Sequence, residues 1–256
     1  MTFKITTNDQ VHFIGIGGIG MSGIAEIMHN IGFKVQGSDP SRNNKNIKRL
    51  QKLGLKVFFN HAKKNIGNSK LVVFSSAISK DNPELREAKR KKIPVIQRVE
   101  MLSEIVRLKK NIVISGAHGK TTITSLISTL LSKAKLDPMI INGGILNSIN
   151  SNALFGKGDW AVVEADESDG SFLKIPITYS VVSNIDKEHL DYYKNFNNLY
   201  KSFEIFIFTY FISNPNNKKR LPKFWKPFIN FSIKRKINLN QSDLNSSLCA
   251  KRLRNL

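Results

Sequence analysis

One pattern occurs twice in this chain and restricts its fold more than any other feature: a short β-branched run, a glycine-bearing turn, then apolar residues at helical spacing. Residues 11–16 (VHFIGI) enter Gly15-Ile16-Gly17-Gly18-Ile19-Gly20 and then a helical pattern over 19–30. A hundred residues on, 112–115 (IVIS) enter Ser115-Gly116-Ala117-His118-Gly119-Lys120-Thr121-Thr122 and a helical pattern over 121–131. Short apolar strands that alternate with helices require a parallel sheet covered on both faces. Further strands are expected at 34–38, 56–59, 71–74 and 95–96 in the first unit, and at 139–142, 160–164 and 179–185 in the second, with a Phe-rich helix over 197–208. The expected fold is therefore α/β: a Rossmann-like parallel-sheet domain over 1–108, followed by an incomplete phosphate-loop α/β domain of ATPase type over 109–210.

Residues 211–256 have a different character. They carry eleven Lys and Arg against a single acid, Asp243, with three prolines and no sustained period. The whole chain holds 40 basic and 19 acidic residues, a formal charge of +21. Such an excess suits nucleic acid or an anionic surface, and the aromatic and basic segment LPKFWKPFINFSIKRKI fits that reading. A solvated tail and an out-of-frame segment are the other two; the joint loss of periodicity and motif near residue 208 favours the out-of-frame reading. A lone cysteine, Cys249, excludes an internal disulfide framework and a cysteine-based zinc cluster. No stretch approaches the ~20 apolar residues that span a bilayer, and no signal segment is visible, so a cytoplasmic protein with no membrane insertion is expected.

The first turn satisfies G-x-G-x-x-G between a strand and a helix. Glycines there let the backbone approach a phosphate, and the helix start favours its charge. Asp39 follows at the end of the next strand, where an acid often meets a ribose hydroxyl. These residues alone are compatible with NAD, with another nucleotide, or with a turn needed only for packing. The second turn has the G-K-T of a phosphate loop, although full spacing would require glycine at 114, which is Ile114. Lys120 can reach β- and γ-phosphates and Thr121 can face Mg2+, which points to ATP or GTP. Glu164 closes the run WAVVE, the usual place for a carboxylate that holds magnesium beside such a loop. His189, within NIDKEHLD, is not a ligand on chemical grounds alone, because Mg2+ prefers oxygen.

Taken together, HFIGIGGIGMSGIAE (12–26), GSD (37–39), SSAI (75–78), QRVEML (97–102), GAHGKTT (116–122), EADESDGSFL (164–173) and NIDKEHLD (184–191) resemble the Mur ligase family, and in particular its alanine-adding branch. The resemblance covers roughly residues 10–208. It implies ATP-dependent ligation of L-alanine to UDP-N-acetylmuramate in peptidoglycan precursor synthesis, by way of an acyl phosphate. It reassigns the first turn (Gly15, Gly17, Gly18, Gly20, with Asp39) from NAD to a UDP-sugar, helped by Ser75, Ser76 and Arg98. ATP falls to Gly116–Thr122, Mg2+ to Thr121, Glu164 and His189, and the catalytic roles to Lys120, Glu164 and His189. Family members are longer and carry a third domain, so the chain is expected to be a truncated ligase with impaired activity. A UDP-sugar- or nucleotide-binding fragment is the alternative, and no specific nucleic-acid partner is expected. Two positions depart from the family pattern: Ala117 stands where threonine is usual, and Leu154 where a basic residue is.

Overall fold

A computed structural model describes residues 5–146 and 151–213. The first domain is a five-stranded, wholly parallel sheet in the order β3-β2-β1-β4-β5. Its strands are β1 (Gln10–Ile14), β2 (Lys34–Ser38), β3 (Lys56–Phe58), β4 (Leu71–Phe74) and β5 (Val95–Gln97). Helices α1 (Ile19–Ile31), α2 (Lys45–Lys52), α3 (Pro83–Arg90) and α4 (Arg98–Val106) connect or follow them. The order reverses beside β1, so the crevice at the strand ends opens at the first glycine turn, as parallel α/β sheets require.

Local chemistry sets the helix ends. α1 buries Met21, Ile24, Ile27 and Met28 along one stripe and stops at Gly32, whose φ of 109° is left-handed. The Asn82 side chain accepts from Glu84 N and Leu85 N, with Pro83 at the first position of α3. Gln97 and Glu100 form a capping box on α4, which fixes Arg98 at its first turn.

The second sheet runs β10-β6-β9-β7-β8, with β6 (Lys110–Ser115), β7 (Met139–Leu146), β8 (Ser151–Leu154), β9 (Trp160–Glu164) and β10 (Tyr179–Val182). All its pairs are parallel except β7 with β8. Helix α5 (Lys120–Lys133) follows β6, and α6 (Leu190–Tyr193) and α7 (Phe196–Ser213) follow β10. The Phe-rich face of α7 is the packing face: Phe203 and Phe206 are buried against Phe172, at ring-centroid distances of 5.3 and 5.1 Å.

β8 is absent from the sequence expectation and ties the two sheets together. Asn152 on this strand donates to Ile19 O at 2.7 Å and accepts from Arg49 at 3.1 Å. Ser151 donates to Glu26, which also pairs with Arg49. Leu154, the position where a basic residue was expected, is half-buried at the end of β8. The reading of 211–256 as a non-family tail falls almost wholly on residues outside those described; within them, α7 continues as helix to Ser213.

Candidate active site

The first glycine turn is held from within. Gly15 N and Ile16 N both donate to Ser38 O, at 2.8 and 3.1 Å, and Gly18 N donates to Gly15 O. Gly17 N donates to Asp39 Oδ2 at 2.9 Å, while Asp39 Oδ1 accepts from Ser41 N. Asp39 is buried beneath the turn. A Cβ at Gly17 would lie 2.8 Å from its carboxylate, so this glycine permits close approach of the protein's own acid. The amides of residues 15–18 are thus committed. The next two residues, Ile19 and Gly20, begin α1, lack a side-chain cap and line a cavity. Arg98 stands over Gly20, close enough that a Cβ there would meet Nη1 at 2.8 Å. Ser75 and Ser76 lie just past β4, half-buried and exposed, with Ser75 beside Gly15.

The second turn is built differently. Gly116 (φ 136°) and Gly119 (φ 80°) take conformations open to glycine. A Cβ at Gly116 would overlap Ser183 Oγ, so the loop rests directly on the segment after β10. That segment secures it: Ala117 N donates to Asn184 O, His118 N to Asn184 Oδ1, and Asn184 Nδ2 and Ser183 Oγ both donate to His118 O. Gly119, with no side-chain cap, starts the fourteen-residue α5, leaving its first amides for an anion. Thr122 is exposed at this first turn.

Register brings the acids to the loop. β6 pairs with β9 so that Ile114 lies beside Glu164. Thr121 Oγ1 donates to Glu164, 3.0 and 3.2 Å from its two oxygens, and Gly143 N on β7 donates to Glu164 Oε2 at 2.9 Å. A hydroxyl against a carboxylate is an oxygen-rich pair of the kind Mg2+ selects. Lys120 Nζ donates to Gly116 O, to Ala117 O at 3.2 Å and to Glu167 Oε1 at 2.9 Å. His189 has a φ of 56°, costly for a residue with a Cβ, and its Nε2 lies 3.6 Å from Glu167 Oε1. Among the described residues, the His and acid group that could hold a metal is Glu167, Glu188 and His189, with ligand atoms within 4.8 Å of one another. Glu164 is not part of that group.

A cavity of about 420 Å³ joins the two halves. Gly20 and Arg98 line it from the first domain, and Lys120, Glu164, Asp166 and His189 from the second. Partial burial alone would raise the Asp166 pKa. The hydrogen bond from Ser168 N, with the charges of Arg98 and Lys120, outweighs it and brings the group below the usual carboxylate range. Positive charge from both domains therefore converges on one wall.

Of the residues expected at the site, Gly20, Arg98, Lys120, Glu164 and His189 share this cavity, and Thr121 joins it through Glu164. Gly15, Gly17, Gly18 and Asp39 shape the first turn from behind. Sequence reasoning missed Glu167, Asn184 and Gly143. The first two lie inside the quoted EADESDGSFL and NIDKEHLD segments; Gly143 carried no signal.

Fold and site together define the class: a Rossmann-like α/β domain joined across one cleft to an α/β domain with a phosphate-type loop. The description "Mur ligase family, catalytic domain" matches residues 10–110, and "Mur ligase middle domain" matches residues 114–251. The chain belongs to the Mur ligase family. It is 50% identical over 248 residues to the UDP-N-acetylmuramate--L-alanine ligase of Pelagibacter ubique, covering 97% of this chain and 50% of that protein. The Brucella ovis enzyme of the same name is 55% identical over 197 residues, 77% of this chain and 42% of that protein. Among solved structures, the UDP-N-acetylmuramate-alanine ligase of Thermotoga maritima superposes with a TM-score of 0.72 at 31% identity, covering 77% of this chain and 46% of that one. The chain spans about half the length of the curated relatives it matches. The middle-domain match reaches residue 251, and so takes in most of the segment that the sequence reading set outside the family.

Proposed function

We propose that this chain carries the UDP-sugar and ATP sites of an ATP-dependent ligase that joins L-alanine to UDP-N-acetylmuramate. One observation carries the reading: Gly20 and Arg98 face Lys120, Glu164 and Asp166 across a single cavity. A carboxylate is a poor electrophile, and transfer of the ATP γ-phosphoryl to it makes an acyl phosphate that an amine can attack. Such transfer depends on alignment and charge neutralisation more than on covalent chemistry by the protein.

In this reading the amides at the start of α1 and the Arg98 guanidinium orient the anionic sugar nucleotide, with Asp39 acting through the turn it fixes. The amides at the start of α5 and the Lys120 ammonium hold the β- and γ-phosphates as charge shifts between them. Thr121 and Glu164 would hold Mg2+, with His189 at the cavity's edge; bound there, the ion would neutralise phosphate charge. The L-alanine amine would add to the carbonyl carbon of the acyl phosphate, forming the amide C–N bond as the acyl C–O bond breaks, with inorganic phosphate leaving and the amine proton passing to solvent.

The half-length of the chain favours a second reading, in which it binds UDP-N-acetylmuramate or ATP without ligating. Incubation with ATP, Mg2+, UDP-N-acetylmuramate and hydroxylamine separates the two. A sugar-dependent hydroxamate with matched ADP release supports activation of the carboxylate; binding of both ligands with neither product supports the fragment reading. Failure to bind either ligand contradicts both.

A further inference from the structure

Glu167 is the one buried acid at the site for which the reaction outlined above has no use. Its side chain is 2% exposed, and it lies between Lys120 and His189 on the cavity wall, 2.9 Å from Lys120 Nζ and 3.6 Å from His189 Nε2. Lys120, 17% exposed, has three N–H donors, and all three are engaged: two by loop carbonyls, Gly116 O and Ala117 O, and the third by Glu167. The carbonyls belong to the loop and stay with it. The carboxylate is the only anion among the three, and it stands where the lysine would meet a phosphate oxygen.

We propose that Glu167 is the resting counter-ion of the phosphate loop: it stands in for a phosphate oxygen on Lys120, and an arriving nucleotide displaces it. The inference rests on the nucleotide reading of the loop. A buried ion pair that loses one partner leaves an uncompensated charge, so an exchange needs replacement partners for both ions. Lys120 gains the phosphate. Glu167 has its replacements already beside it, His189 Nε2 on one side and Ser115 Oγ at 3.5 Å on the other. The backbone need not move, because Glu167 O accepts a hydrogen bond from the buried Tyr193 hydroxyl and is anchored there. Glu167 is thus a positioning residue: it keeps Lys120 folded over the loop and sets what an anion must overcome to bind.

The test is calorimetric titration of the full 256-residue chain with ATP and with AMP, for the wild type, Glu167→Gln and Glu167→Asp. Removal of the competing charge should lower the ATP Kd roughly tenfold in Glu167→Gln, with Glu167→Asp between it and the wild type. AMP, whose single phosphate does not extend to Lys120, should be bound no more tightly than before. ATP binding detectable in Glu167→Gln alone is the extreme form of the same result. If ATP binds and requires Lys120 but Glu167→Gln leaves its affinity equal or weaker, the inference fails and the nucleotide reading stands. Equal tightening of AMP also overturns it, since simple repulsion would then explain the gain. If Glu167→Gln does not fold, Glu167→Asp decides by the same sign. Absence of ATP binding in all folded forms overturns the nucleotide reading and this inference with it.

Discussion

The two glycine turns share one plan, strand into turn into helix, and differ in what holds them. The first is closed by its own domain: Ser38 O and the Asp39 carboxylate consume the amides of residues 15–17, leaving only the start of α1 open to the cavity. The second is braced from outside, by Ser183 and Asn184 beyond β10, and carries a cation whose counter-ion comes from the loop after β9. A turn held by a carboxylate is fixed in shape and offers a ligand only the start of its helix. A turn that carries a cation, paired with a carboxylate from a neighbouring loop, offers positive charge where a phosphate would sit. The same local motif is therefore held in two ways, and the neighbouring strand end decides between them.

That contrast can be broken most sharply at Lys120. Lys120→Met should reduce ATP-dependent release of ADP by about 10³-fold and, by titration, should weaken ATP far more than UDP-N-acetylmuramate, which keeps its contacts at Gly20 and Arg98 on the opposite wall of the cavity. Loss of both together would show that the turns are not independent.

Next in size is the packing that fixes the acid loop of the second turn. Phe172→Ala empties the contact with Phe203 and Phe206 and should cost about 3–5 kcal/mol in urea unfolding. A cost under ~1 kcal/mol would mean that the loop is held by polar contacts alone.

The first turn has an acid dependence of its own. Ser38 Oγ donates to Glu84 Oε2, which is also met by His12, and Asn65 donates to Oε1. Burial alone would raise the Glu84 pKa, but the His12 interaction and the hydrogen bonds from Ser38 and Asn65 carry it down to about 2. A depressed carboxylate stabilises the fold above its unfolded value of 4.5 and loses that contribution as pH falls toward 2. The melting temperature should fall across that window, and Glu84→Gln should flatten the dependence.

Smallest is Gly17→Ala. Its Cβ would press on Asp39 and should cost about 1–3 kcal/mol, while Lys120-dependent ATP affinity remains unchanged. Equal loss at both sites would contradict the comparison.

Much of this architecture was legible in the sequence because it is local. LVVF and WAVVE read as buried strands from β-branched content, and Asn82-Pro83 marks a helix start by cap chemistry. Glu164 was legible because it ends a strand beside the lysine loop. Glu167 was not: its partner Lys120 lies 47 residues away, and only the β6–β9 register brings them together. β8 was missed because SNAL has no β-branched residue, and its pairing depends on β7 and on Asn152 docking against α1. The buried role of Asp39 was also hidden, since a ribose contact and a turn-fixing contact place the same acid at the same strand end.

The account stands most directly on where two ligands sit relative to each other. A crystal structure of the chain with UDP-N-acetylmuramate and a non-hydrolysable ATP analogue is expected to place the muramyl carboxylate between Arg98 and Lys120, about 3–4 Å from the γ-phosphorus. Ligands bound on separate faces, with the cavity between Gly20 and Glu164 empty, would contradict it.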